Sequence, residues 1–135
     1  MTPTFTLWWR HLCRWQFVVL LLIYTYLGLT TSSGPHIPQY NDKVMHFIGY
    51  AVAGLSITFA LPSQHGWQRL MWLVVFSTAI EVGQHFNPPR MFSLGDIAAN
   101  LAGALLGLAL MGALRRWLPH LSHCLINGSA PERTE

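Results

Sequence analysis

The chain has 135 residues, of which 52% are hydrophobic and 10% are charged. Soluble domains carry about 25% charged residues, so this composition excludes an ordinary soluble protein and indicates a single domain within a lipid bilayer. The net charge of +3 comes from scattered basic residues, and we therefore expect no nucleic-acid partner. The two cysteines lie near opposite termini, which argues against a disulfide framework and a structural zinc site.

The first predicted element is an aromatic and basic segment, residues 1–15, followed by an apolar run from Gln16 to Thr31. Tryptophans and arginines are typical of the place where a chain meets a membrane surface. The apolar run is just long enough to cross a bilayer as a helix if Trp15 is included. A cleaved signal peptide is the alternative interpretation, and we favour an uncleaved span because no Ala-x-Ala site follows.

Three further apolar segments follow, separated by proline and glycine residues that end helices. They run from Asp42 to Leu61, from Arg69 to Phe86, and from Ser93 to Leu114. The sequence therefore predicts an all-α polytopic membrane protein. A bundle of four transmembrane helices would occupy residues 16–116, between a cytoplasmic N-terminal segment, residues 1–15, and a cytoplasmic tail, residues 117–135.

The distribution of Lys and Arg predicts the orientation of the bundle, because cytoplasmic loops carry an excess of both. With both termini in the cytoplasm, the inner side holds six basic residues and the outer side holds only Lys43 and Arg90. We therefore expect a multi-pass protein of the cytoplasmic membrane. In this topology the start of span two, the end of span three and the start of span four share the outer face.

Polar residues recur at helical spacing on the predicted spans, and residues three, four and seven apart share one face of a helix. We therefore expect these faces to converge in an outer pocket. Span four also carries a Gly-x-x-x-Gly pattern, which predicts close approach of another helix. The polar stripes are Asp42, His46 and Tyr50 in span two, Ser77, Glu81, Gln84 and His85 in span three, and Asp96, Asn100, Gly103 and Gly107 in span four.

Glu81 is the strongest candidate for a functional group. Its predicted depth places a carboxylate inside the hydrocarbon, where an unpaired charge costs about 3 kcal/mol and intramembrane carboxylates usually serve function. A structural role, with hydrogen bonds to Tyr50 and Asn100, is the alternative. Asp96 has an alternative of its own, because Ser93-x-x-Asp96 has the spacing of a capping box at the start of a helix.

The cations Lys43 and Arg90 lie on the side where the topology rule disfavours them, and we expect them to grip an anionic headgroup. Snorkelling to lipid phosphates or pairing with nearby acids is the alternative. His46 suits proton transfer or metal binding, although membrane histidines often serve only as hydrogen-bonding groups. Tyr50, Gln84 and Asn100 are interpreted as a supporting hydrogen-bond layer.

These residues resemble the VanZ-like family, named for a protein associated with resistance to the glycopeptide teicoplanin. The resemblance implies a polytopic membrane protein of the cell envelope and, in some members, reduced sensitivity to lipoglycopeptide antibiotics. It implies no particular reaction. The matching pattern is Asp42-Lys43-x-x-His46-Phe47-x-x-Tyr50, then Glu81-x-x-Gln84, then Arg90, then Asp96-x-x-x-Asn100-x-x-Gly103-x-x-x-Gly107.

The leading hypothesis is a pocket that binds a membrane-lipid headgroup, a lipid-linked envelope precursor or an amphiphilic antibiotic. Its candidate residues are Asp42, Lys43, His46, Tyr50, Glu81, Gln84, Arg90, Asp96 and Asn100. No cofactor is required by this hypothesis.

The alternative is an intramembrane enzyme acting on a lipid headgroup, with a metal held by His46, Glu81 and Asp96. No Gly-x-Ser-x-Gly motif supports it, and the sequence leaves open whether the protein is an enzyme. A small transporter is the third hypothesis, and it would require a homo-oligomer because the chain has no inverted repeat.

Overall fold

A computed structural model describes residues 3–30, 39–88 and 92–127, and every regular element in these ranges is a helix. The predicted all-α class is therefore confirmed. The helices are α1, Pro3–Leu29; α2, Gln39–Ala60; α3, Gly66–His85; α4, Leu94–Trp117; and a short α5, Pro119–Asn127.

Helix α1 begins at Pro3, well before the predicted start of the first span at Gln16. Proline at the first helical position loses no hydrogen bond, because that N–H has no intrahelical partner. No glycine or further proline follows before Gly28, so the aromatic and basic segment continues directly into the apolar run. The predicted boundary at residue 16 therefore lies inside one helix.

Helix α5 was not predicted, because its residues were assigned to the tail. It also starts at a proline, Pro119, whose carbonyl accepts a hydrogen bond of 2.9 Å from the Ser122 hydroxyl. The indole N–H of Trp9 donates to the carbonyl of Leu125 at 3.0 Å. This contact holds α5 against the beginning of α1.

Three helices in the described part of the chain are long and apolar enough to cross a membrane: Phe5–Leu29, Asp42–Ala60 and Leu94–Trp117. They indicate a membrane protein. Helix α3 has 20 residues but is not among them, because Gln68, Arg69, Glu81 and Gln84 lower its hydropathy. The predicted number of four spans stays a prediction.

Successive long helices run in opposite directions. The Tyr24 hydroxyl, late in α1, donates to the carbonyl of Gly49 in α2 at 2.7 Å. The Gln84 amide, late in α3, donates to the carbonyl of Gly28 at 2.9 Å. Helices α1 and α3 finish, and α2 and α4 begin, at the same end of the bundle, which we call the site end. We call the other end of the bundle the opposite end.

Glycines allow α2 and α4 to approach closely. A Cβ atom at Gly103 would overlap the carbonyl oxygen of Phe47, and one at Gly107 would overlap that of Ala51. A Cβ at Gly54, on the facing side of α2, would lie 2.7 Å from the carbonyl oxygen of Ala104. The prediction that the Gly-x-x-x-Gly face packs closely against another helix is confirmed, and this contact fixes α2 against α4 along the middle of both helices.

Candidate functional site

Polar side chains from α2, α3 and α4 meet at the site end in a connected group that we call the polar cluster. Hydrogen bonds and ion pairs link its members from α3 through the start of α4 to α2. Its members are Asp42, Lys43, His46, Ser77, Glu81, Ser93, Asp96 and Asn100.

Asp96 lies at the centre of this cluster. Its Oδ1 accepts a hydrogen bond from Lys43 Nζ at 2.9 Å, and its backbone N–H donates to the Ser93 hydroxyl at 3.2 Å. Ser93 is thus the N-cap of α4, as the Ser93-x-x-Asp96 spacing predicted. A Cβ at Gly95 would lie only 2.8 Å from Lys43 Nζ, so this glycine leaves room for the ion pair.

Glu81 is almost fully enclosed, with 1% of its surface exposed. Its Oε2 accepts a hydrogen bond of 3.1 Å from the backbone N–H of Ser93. The start of a helix favours a nearby negative charge, because the first amides have no partners inside the helix. The structural alternative had named Tyr50 and Asn100 as its partners, whereas this contact is to the Ser93 amide. A capping box would have given that amide to Asp96.

His46 is oriented through Asn100. The Asn100 amide group donates to the Ser77 hydroxyl at 2.8 Å, and its Oδ1 lies 3.1 Å from His46 Nδ1. Because Oδ1 can only accept, Nδ1 is assigned the hydrogen. In the neutral imidazole, Nε2 then carries a free electron pair.

That free Nε2 faces two carboxylates. It lies 3.9 Å from Oδ1 of Asp42 and 4.0 Å from Oδ2 of Asp96. One ligand atom from each of these three residues lies within 4.8 Å of the others. The predicted metal set had Glu81 in place of Asp42, but the Glu81 carboxylate lies against the Ser93 amide.

Two further predicted site residues, Tyr50 and Gln84, share helices with members of the polar cluster. Tyr50 is buried below the cluster and lines a cavity of about 30 Å³ together with Ser77 and Asn100, which is enough for a water molecule. The Gln84 side chain binds the end of α1 through Gly28. Arg90 lies outside the described residues, so its predicted role stays a prediction.

Sequence reasoning did not count two cluster members as site residues. Ser77 lies on the predicted polar stripe, one turn before Glu81, and this position was the available signal for its link to Asn100. Ser93 was recognised as a cap, but it joins the cluster through its backbone N–H as well. A backbone donor leaves no signal in residue type.

Apolar helices with charged side chains from three of them gathered at one end define a helical membrane protein with a polar site at the end of its bundle. A scan against protein-family models matches residues 4–115 to the family described as VanZ/LLP1. The chain therefore belongs to the VanZ/LLP1 family, and the match includes every residue of the polar cluster. A search of curated proteins and a search of solved structures found no match.

Proposed function

We propose that the polar cluster binds the polar headgroup of a membrane amphiphile. The observation that supports this most strongly is the pair of neighbours Asp42 and Lys43. Their side chains carry opposite charges and are 47% and 46% exposed. The pair stands at the edge of an apolar bundle, where an amphiphile would place its charged portion.

The hydrogen-bonding capacity of this pair fits a headgroup that carries both charges. The Lys43 ammonium has three N–H donors, and the contact with Asp96 Oδ1 uses one of them. The others are available to a phosphate or carboxylate. Asp42 offers a carboxylate to an amine, since its described contact is the longer approach to His46.

Apolar side chains beside the cluster supply a surface for the rest of an amphiphile. Met45 and Ile48 on α2 and Leu94 on α4 are each more than half exposed. An acyl chain lying against them would leave its headgroup beside Asp42 and Lys43. Because an acyl chain in the bilayer is already removed from water, this surface would orient the amphiphile by packing and would add no hydrophobic driving force.

The cellular role that we propose is modulation of sensitivity to lipoglycopeptides such as teicoplanin, through an envelope lipid, a lipid-linked precursor or the antibiotic itself. The Lys and Arg distribution supports a cytoplasmic-membrane protein with both termini inside. The polar cluster would then face outwards. An amphiphile in the outer leaflet would reach it without crossing the bilayer.

The test is growth inhibition by teicoplanin in a sensitive host that expresses the protein. Expression of the wild type should raise the inhibitory concentration, and Asp42→Asn combined with Lys43→Gln should return it to the empty-vector value. Arg116→Gln, which removes an exposed cation at the opposite end, is the control at matched expression. Full protection by the double variant would contradict the proposal.

Two variants follow from the sequence prediction rather than from these contacts. Glu81→Gln removes the buried charge, and Arg90→Ala removes the second predicted outer cation. We expect each to reduce protection in the same assay. Unchanged protection in both would remove these residues from the proposed site.

The alternative function is a metal-dependent enzyme acting on a lipid headgroup, and the grouping of Asp42, His46 and Asp96 supports it. Carboxylates and an imidazole are the parts of a site for metal-assisted hydrolysis or transfer. Lipid composition of a deletion strain separates the two functions. An enzyme predicts a changed lipid that Asp96→Asn fails to restore, and a binding protein predicts no change.

A further inference from the structure

We infer that Asp42, His46 and Asp96 form a binding site for a divalent transition-metal ion such as Zn²⁺. The inference rests on the proposed function only in the role of the ion, which would present an open coordination position to an anionic oxygen of the headgroup. The existence of the site stands on the geometry of these three side chains. It also replaces the metal set predicted from the sequence, because Asp42 takes the place of Glu81.

The three ligand atoms already lie close to a coordination geometry. Ligand atoms around a tetrahedral zinc ion lie about 3.4 Å apart, given bonds of about 2.1 Å. His46 Nε2 lies 3.9 Å from Asp42 Oδ1 and 4.0 Å from Asp96 Oδ2. These two pairs must therefore close by about half an ångström, and the Asp42 and Asp96 ligand atoms lie within 4.8 Å of each other. Asp42 can move, since its side chain is half exposed near the start of α2.

Residues other than the three proposed ligands form hydrogen bonds with the ligand side chains, through atoms that would not bind the metal. Metal-binding histidines usually donate their other ring N–H to an oxygen acceptor, and ligating carboxylates are themselves hydrogen-bonded. His46 Nδ1 faces Asn100 Oδ1 at 3.1 Å, and Asn100 is held by Ser77. Lys43 Nζ donates a hydrogen bond to Asp96 Oδ1 at 2.9 Å. Nε2 of His46 and Oδ2 of Asp96 remain directed towards each other and Asp42.

The charges at the site end also favour a cation. Among the described residues at the site end, three side chains are carboxylates, those of Asp42, Glu81 and Asp96, and one lysine, Lys43, carries a positive charge. With all of these groups ionised, the polar cluster carries two surplus negative charges. A divalent ion would neutralise this surplus next to the buried carboxylate of Glu81, where charge is least well solvated.

The donor set indicates the class of ion. Imidazole nitrogen suits Zn²⁺ and related transition metals, whereas Mg²⁺ and Ca²⁺ prefer oxygen ligands throughout. Three protein ligands leave a fourth position of a tetrahedral ion open. A phosphate or carboxylate oxygen of a headgroup fits that position.

The experiment measures Zn²⁺ binding by the purified full-length protein in detergent, with no amphiphile added, by titration calorimetry. We expect one ion per chain with affinity well above that for Mg²⁺. His46→Gln should weaken binding at least tenfold, and so should Asp42→Asn. Asn100→Ala, which removes the acceptor for His46 Nδ1, should weaken it by about tenfold.

His85→Gln is the matched control, because His85 also lies at the site end but outside the polar cluster. Equal loss in His46→Gln and His85→Gln, or no stoichiometric binding by the wild type, would overturn the inference. Thermal unfolding of each variant without metal separates ligand loss from misfolding. A second experiment repeats the teicoplanin growth assay in cells with EDTA in the medium. If protection persists with EDTA while the purified variants of Asp42, His46 and Asp96 bind no Zn²⁺, the proposed function stands without a role for the ion.

Discussion

Helix α3 carries a buried charge at each end, and the two are satisfied in similar ways. At the opposite end, Arg69 is 4% exposed and donates to the carbonyls of Leu61 and Pro62, just after α2, at 3.0 and 2.9 Å. At the site end, Glu81 accepts from the Ser93 amide, just before α4. Each buried charge therefore satisfies backbone groups next to the end of a neighbouring helix.

The surroundings of these two charges differ. Arg69 has no carboxylate at its end of the bundle among the described residues. Glu81 lies close enough to Asp42, His46 and Asp96 to interact electrostatically with each. Burial of a charge is therefore explained at both ends by helix capping, and only the site end adds further ionisable side chains. Convergence of those side chains, more than burial of Glu81, identifies the candidate site.

The largest expected effect is at the opposite end. Arg69→Ala would leave the carbonyls of Leu61 and Pro62 without their donor, and we expect the free energy of unfolding to fall by about 3 kcal/mol. Detergent-solubilised protein unfolded by heat or SDS gives this value. Arg116→Ala, at an exposed position on α4, should change it by less than about 0.5 kcal/mol. Equal stability of the two variants would show that Arg69 has no capping role.

The close contact between α2 and α4 can be loosened without touching Arg69. Gly103→Ala places a methyl group against the carbonyl of Phe47, and we expect a loss of about 2 kcal/mol from overpacking. Gly112→Ala is the control on the same helix, because a Cβ there has no neighbour within 4 Å. The same unfolding measurement applies. Helix propensity alone favours alanine over glycine by about 1 kcal/mol, so a Gly103→Ala protein as stable as Gly112→Ala would contradict the close contact.

Glu81 allows its hydrogen bond to be separated from its charge. Glu81→Ala leaves the Ser93 amide unpaired and should cost about 2 kcal/mol, whereas Glu81→Gln keeps an acceptor oxygen and should cost less than about 1 kcal/mol. Unfolding measurements on both variants test this difference. If Glu81→Gln is as destabilised as Glu81→Ala, the charge itself contributes to the cap.

The smallest effect is expected at Ser77. Ser77→Ala removes the partner of the Asn100 amide and should lower the free energy of unfolding by about 1 kcal/mol. Thr78→Ala is the neighbouring control, because the Thr78 hydroxyl is exposed and bonds only within its own helix, to the carbonyl of Val74. A Ser77→Ala protein as stable as Thr78→Ala would mean that Asn100 orients His46 without this support.

The sequence by itself determined the helical class, the membrane setting and the glycines of α4 that pack closely against another helix. These properties depend on local composition and on the helical period, so they can be recognised along the chain. The same period placed Asp42 with His46 and Ser77 with Glu81. The starts of α1 and α5 were not predicted, since both helices begin at prolines in segments where tryptophan, arginine and histidine obscured the pattern.

Only the tertiary structure decided which polar groups meet. Successive residues of a helix point about 100° apart around its axis. Small differences in how the helices pack therefore decide which of several neighbouring polar residues come into contact. Glu81 therefore contacts the Ser93 amide, Gln84 contacts α1, and Asp42 joins His46 and Asp96. The close glycine contact between α2 and α4 brings Asp42, His46 and Asp96 together. The distance between these two helices cannot be recognised from any local sequence pattern.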